Sequence, residues 1–229
     1  MTQKIKNTNK IIIAMDNTIP EGMKLIAKTC NNEGVYGYKI GSLWILDNGI
    51  EILKSVKDLL ESKNSHCKII LDMQKWGTDI PSIVEKQVNK VAEYVDELIV
   101  CPMGGGKDTL QVFIDECYIN DIKSICVLSM TQPNADSYLI ENSAELIYND
   151  AKYFGNYSYV IPATKDSSKL NFMLISDEKY ATGFKTQGGQ TKPMIDFGVT
   201  KFIVGRAIYE AENPEEAIND IIQEINGVE

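Results

Sequence analysis

"KIILDMQKWGTDIPSIVEKQVNKVAEYV", Lys68 to Val95, holds one complete unit of the architecture. Its first five residues, Lys68 to Asp72, form an apolar, β-branched run of strand length. From Ile80 to Val95 the apolar positions recur with a helical period instead. Between the two lies a charged stretch, in which Asp72, Lys75 and Asp79 fall within seven residues of one another. Opposite charges at the end of an apolar strand are costly unless water or chemistry needs them.

The same order recurs on both sides. Strands are expected at Ile11 to Met15, Tyr36 to Ile40, Lys68 to Asp72, Glu97 to Cys101, Ser124 to Ser129, Tyr157 to Ile161, Tyr180 to Gly183 and Lys201 to Val204. Helical patterns alternate with them, among them "GIEILKSVKDLLES", "KDTLQVFIDECYI" and "DSYLIENSAELIYNDAKYF". The closing "NPEEAINDIIQEI" opens on a cap and a proline in the first helical position, with glutamates at its positive end. Eight strand–helix units predict an α/β fold, a (β/α)8 barrel of parallel strands, with the active site where the strand C-termini converge. An open doubly wound sheet fits the alternation too, but its GxGxxG fingerprint after the first strand is missing. With no linker or shift of composition in sight, residues 1–229 are expected to form a single domain.

Composition narrows the classes. A hydrophobic share of 44% and a charged share of 24% are those of a globular protein, and no apolar run is long enough to cross a bilayer. The polar start "MTQKIKNTNK" and the short "IIIAM" after it do not make a secretory signal, so a cytoplasmic location is expected. A net charge of −9 argues against a nucleic-acid or anionic-membrane surface, while leaving room for a local basic pocket around a phosphorylated ligand. The five cysteines are odd in number and scattered, which suits reduced thiols better than disulfides or a zinc site. The one histidine, His66, sits in the polar "ESKNSHCK" and reads as a solvated loop residue, which leaves a serine or cysteine triad without its base.

Of the 23 basic residues, 22 are lysines and one is Arg206, at the end of "KFIVGR". A planar bidentate donor there suits phosphate, although a surface arginine at a strand end is the plain alternative. "TQGGQ", Thr186 to Gln190, follows the seventh strand, and its backbone N–H groups can face an anion. "CPMGGGKDTL" lacks the GxxxxGK[ST] spacing and reads as a tight turn between strand and helix. At the charged end, Lys39, Asp72, Lys75 and Asp79 can hold each other ionised around a reacting group, or simply form a structural ion-pair network.

In this order, "IIIAMD", "YKIGS", "IILDMQKWGTDIP", "LSMTQPNA", "ATGFKTQGGQ" and "FIVGRAIYEAENP" resemble the orotidine 5'-phosphate decarboxylase family over nearly the whole chain. The resemblance implies a homodimer of (β/α)8 barrels that converts orotidine monophosphate to UMP and CO2 with neither metal nor organic cofactor. It implies Asp16 and Lys39 at the ribose side and in the charge network, Asp72 beside the scissile carboxylate, and Lys75 as proton donor. Asp79 and Ile80 would reach the neighbouring subunit's site, Thr131 would contact the pyrimidine, and Gln187, Gly205 and Arg206 would hold the phosphate.

The chain departs from the family pattern in places. Asp72 to Pro81 carries two additional residues against Asp-x-Lys-x-x-Asp-Ile-Pro, so a regular strand would turn Gln74 inward and Lys75 outward. Either a bulge near Met73-Gln74 returns Lys75 to the site, or Gln74 takes its place. Thr182 replaces a proline, Cys101 a histidine, and Ile83 a hydroxyl residue. Two other functions stay open: a magnesium-dependent sugar-phosphate lyase of the same superfamily, which would favour acidic ligands where Lys39 stands, and a nucleotide-binding paralogue without turnover.

Overall fold

The computed structural model describes residues 10–73, 77–132, 134–135, 137–163, 170–174, 176–183 and 191–227. Among these, eight parallel strands close in sequence order into a barrel: β1 (Ile11–Met15), β2 (Val35–Ile40), β3 (Lys68–Asp72), β4 (Glu97–Val100), β5 (Lys123–Val127), β6 (Ser158–Pro162), β7 (Glu178–Thr182) and β8 (Lys201–Val204). Around them lie α1 (Ile19–Thr29), α2 (Ser42–Asn48), α3 (Glu51–Ser62), α4 (Pro81–Val91), α5 (Gly106–Ile119), α6 (Ser143–Tyr153), α7 (Thr191–Asp196), α8 (Arg206–Tyr209) and α9 (Pro214–Gly227). The barrel expected from the alternation is the one observed, and β1, β3 and β8 begin and end at the expected residues.

Alternation along each strand divides the apolar residues into two shells. Ile12, Ala14, Ile70, Ile99, Ile125, Val127, Val160, Tyr180 and Ile203 fill the barrel's interior. Ile11, Ile13, Leu71, Leu98, Cys126, Ile161 and Phe202 face outward, against helix residues such as Leu53, Val88, Phe113 and Ile221. Strands covered on both faces read as unbroken apolar runs, which is why they could be found without a visible alternation.

Some boundaries differ from expectation. β7 starts at Glu178, not Tyr180, because its first two residues are charged but enclosed. Lys179 is only 1% exposed, and its ammonium donates to the carbonyls of Leu174 at 2.9 Å and Asp177 at 3.1 Å. The helix expected from Asp136 begins only at Ser143. Residues 137–142 are turns, with Tyr138 and Ile140 exposed and no buried stripe to stabilise a helix. α2, α7 and α8 span seven residues or fewer, too short for a helical period to register.

The "CPMGGG" run makes the tight connection expected between strand and helix, through one turn of 3-10 helix at Pro102–Gly104, and its last glycine opens α5. A Cβ on Gly105 would stand 2.8 Å from Thr109 Cγ2 and 3.1 Å from Thr78 Cα, and Gly106 has φ +74°. The glycines let the start of α5 close on the loop that leads to Asp79, where Thr109 donates its hydroxyl proton to the Asp79 carbonyl at 2.9 Å. All five cysteines are free, and His66 is an exposed loop residue. No helix among the described residues is long and apolar enough to cross a membrane.

β2 carries an irregularity that its sequence does not announce. Ile11 pairs with Val35, but Ile12 pairs with Gly37, so Tyr36 is an additional residue. Val35, Tyr38 and Ile40 belong to the outer shell, whereas Tyr36 packs against the interior. Gly37 and Lys39 lie beside the interior residues Ile12 and Ala14.

Candidate active site

A cavity of about 300 Å³ opens at the C-terminal end of the barrel. Its base is apolar, formed by Ala14, Ile99, Val127, Val160 and Ile203, the last interior layer before the strands end. One step further along each strand the chemistry changes. Asp16 follows β1, Lys39 and Asp72 project from β2 and β3, Ser129 to Gln132 follow β5, Thr182 and Gly183 close β7, and Gly205 and Arg206 follow β8.

At the centre, the Lys39 ammonium donates to Asp72 Oδ2 at 2.9 Å, with both side chains about one-tenth exposed. Burial alone pushes the Lys39 ammonium towards neutrality. The carboxylates of Asp72 and Asp16 outweigh that cost and hold its pKa above the ordinary lysine value. A fixed positive charge therefore stands in an enclosed pocket at neutral pH. The turn after β1 is fixed from outside, where Trp44 of α2, 1% exposed, donates its indole N–H to the Asn17 carbonyl at 2.8 Å.

The expected site residues divide into three groups. Asp16, Lys39, Asp72, Thr131, Gly205 and Arg206 all line the cavity. Asp79 and Ile80 do not line it. Both are exposed just before α4, and Asp79 Oδ1 accepts the Ile80 N–H at 2.7 Å. Lys75, Gln74 and Gln187 lie outside the described residues, as does the whole of "TQGGQ". The choice between Gln74 and Lys75 assumed a strand that continues past Asp72. Pairing with β4 stops at Asp72, and the Gly77 N–H donates to the Met73 carbonyl at 2.9 Å.

Ser129, Met130, Gln132 and Tyr209 also line the cavity and were not foreseen. Ser129 could have been found, since it continues the inward positions Ile125 and Val127. Tyr209 could not, because it reaches the mouth through the four-residue helix α8. Among the described residues, no group of three or more His, Cys, Asp or Glu side chains is placed to hold a metal ion. The cavity thus offers a paired ammonium and carboxylate over an apolar base, neutral hydrogen-bonding groups on one side and a guanidinium on the rim.

Comparison with known proteins places this geometry. The orotidine 5'-phosphate decarboxylase of Methanococcus maripaludis is 30% identical over 212 residues, 91% of this chain and 93% of that one. The crystal structure of orotidine 5'-phosphate decarboxylase from Pyrococcus horikoshii superposes with a TM-score of 0.79 at 25% identity, covering 95% of this chain and 100% of that one. The orotidine 5'-monophosphate decarboxylase of Methanocaldococcus jannaschii, solved with the inhibitor BMP, shares the fold with a TM-score of 0.81 at 24% identity, over 96% of this chain and 99% of that one. The family model described as Orotidine 5'-phosphate decarboxylase / HUMPS family matches residues 9–221, nearly the whole barrel, and the chain belongs to that family.

Proposed function

We propose that this chain, acting as one domain over residues 1–229, decarboxylates orotidine 5'-monophosphate to UMP and CO2 without a metal or organic cofactor. The observation that carries the reading is the enclosed Lys39–Asp72 pair at 2.9 Å, facing a cavity with Arg206 on its rim. The substrate's phosphate binds Arg206, Gly205 and Gln187, its ribose lies beside Asp16 and Lys39, and Thr131 contacts the pyrimidine. That leaves the C6 carboxylate next to Asp72. The C6–carboxyl bond breaks with both electrons remaining on C6, and CO2 leaves uncharged. Repulsion from Asp72 then falls, while attraction to a nearby ammonium grows as charge gathers on C6. Interactions that strengthen only along this path lower the barrier. Lys39 fixes the Asp72 carboxylate, and Lys75 donates a proton to C6 to give UMP.

A sugar-phosphate lyase reading would want metal-ligating acids on β2, where Lys39 stands. The test is an ultraviolet progress curve with orotidine monophosphate and chelator present, run for the wild type, Lys75→Ala and Gln74→Ala. Turnover in the wild type and Gln74→Ala, and none in folded Lys75→Ala, is the expected result. Tight UMP binding with no wild-type turnover would sink the decarboxylase assignment.

We further propose a homodimer with shared sites. Leu43 and Leu46 of α2 and Ile80 before α4 are 57%, 78% and 61% exposed, all on the end of the barrel where the cavity opens. Exposed apolar side chains beside a loop that carries Asp79 away from its own cavity suit an interface through which Asp79 reaches the partner's substrate. Ile80→Asp is expected to shift sedimentation towards monomer and to lower activity in step. A fully active monomer would refute the sharing.

A further inference from the structure

We propose that Tyr36 and Tyr38 are positioning residues for Lys39: together they pin the bulge in β2 that brings Lys39 to the inside of the barrel. The inference rests on the decarboxylase reading for its catalytic consequence only. In a regular strand, residues 36 and 38 share a face and residue 39 takes the other. Here Tyr36 points inward and Tyr38 outward, which is possible only because one additional residue sits between the pairs Ile11–Val35 and Ile12–Gly37. If the bulge were smoothed out with Tyr36 kept inside, Lys39 would face the helices and Asp72 would lose its 2.9 Å partner.

Each tyrosine is clamped by its hydroxyl, on opposite sides of the sheet. Inside, Tyr36 donates to Glu97 Oε1, and the Lys201 ammonium lies 4.0 Å from the centre of its ring. Glu97, 2% exposed, is itself held by Tyr180 at 3.2 Å and by Lys123 at 3.2 Å. Outside, the Tyr38 hydroxyl bonds the buried Thr29 hydroxyl at 2.7 Å. Between them, a Cβ on Gly37 would fall 2.3 Å from the Lys68 carbonyl oxygen, so only glycine lets β2 approach β3 at this phase. The bulge is therefore held at three consecutive points, all below the catalytic mouth and none touching the cavity.

The test uses Tyr36→Phe and Tyr38→Phe, each of which removes a clamp and keeps the bulk, and Glu97→Gln, which takes the charge from the inner clamp's acceptor, together with Tyr159→Phe as control. Tyr159 loses a buried hydroxyl bonded to the Asn156 carbonyl at 2.7 Å, far from β2. Two readouts are taken on folded protein. One is steady-state kinetics with orotidine monophosphate. The other is the titration of Lys39 followed by NMR of ¹³C-methylated lysines, with Lys39→Ala assigning the signal. Loosened aim of the catalytic pair is expected to lower kcat by roughly ten- to a hundredfold with little change in KM. The Lys39 titration should move down, away from its carboxylate-raised position, while Tyr159→Phe alters neither. A wild-type kcat and an unmoved Lys39 titration in folded Tyr36→Phe, Tyr38→Phe and Glu97→Gln would overturn the proposal. Should the wild type fail to turn over this substrate, the decarboxylase reading falls by itself, and the Lys39 titration alone decides the positioning role.

Discussion

Arg206 is the chain's one guanidinium, and it stands on the rim of the cavity, exposed, one residue beyond the Gly205 that ends the eighth unit. Hydrogen bonds to charged groups contribute about 1.5–3 kcal/mol each. With Arg206 holding the substrate's phosphate as proposed, Arg206→Ala is expected to lower kcat/KM by roughly ten- to a hundredfold and to weaken UMP binding similarly, since a remote phosphate grip supplies transition-state binding as well as affinity. Its exposure means that the unfolding midpoint should stay put. Kinetics and UMP titration of the variant check this, and unchanged values would remove the phosphate assignment. At this scale the sequence was legible wherever a polar residue stood at, or a few residues beyond, the end of an apolar strand. Asp16, Lys39, Asp72, Thr131, Gly205 and Arg206 could be named because the barrel sends strand ends to one place. Tyr209 was hidden because nothing in "RAIYEAE" marks a single helical turn.

At the scale of elements, legibility follows burial. β1, β3 and β8 were read to the residue because an enclosed strand is apolar on both faces, and its ends are where polarity begins. β7 was read late because Glu178 and Lys179 satisfy their charges inside the fold, through Lys123 at 2.9 Å and two backbone carbonyls. α9 was legible from Asn213-Pro214 and the stripe of Ile218, Ile221 and Ile225. The bulge in β2 was not legible, although it decides which way Lys39 faces. "VYGYKI" is compatible with either phase, and what selects one is Thr29, Lys68 and Glu97, all distant in the chain. Two contacts beyond Asp72 were hidden for a similar reason: the Gly77 N–H bonds back to the Met73 carbonyl, and the Gly105 end of the next unit packs against Thr78. Two-residue periodicity says nothing about such partners.

The molecule as a whole has two polar ends with opposite uses. The mouth keeps charges open to a ligand, whereas the floor of the barrel spends Tyr36, Glu97, Lys123, Glu178 and Tyr180 on each other. Such a plug replaces one layer of apolar side chains, and ion pairs out of water are rarely a net gain in stability. Its pH dependence follows from Glu97. Burial, together with the Glu178 carboxylate, raises its pKa above the ordinary 4.5, even though Lys123 and Tyr36 favour the charged form. With the folded value above the unfolded one, the folded protein binds more protons between the two. Glu97 thus costs stability near neutral pH, and that cost is relieved as pH falls through the folded value towards 4.5. Lys123 is shifted upward instead, so its contribution is complete below the unfolded lysine value and does not change in this acidic window. Glu97→Gln removes the titration but keeps the side chain's shape. In urea unfolding from neutral pH down to 4.5, the wild type is expected to gain on Glu97→Gln. The gain should be about 1.4 kcal/mol for every tenfold by which folding tightens the carboxylate's hold on its proton. A difference that stays constant across that range would mean that Glu97 titrates as it does in water and that the floor of the barrel is wetter than its 2% exposure implies.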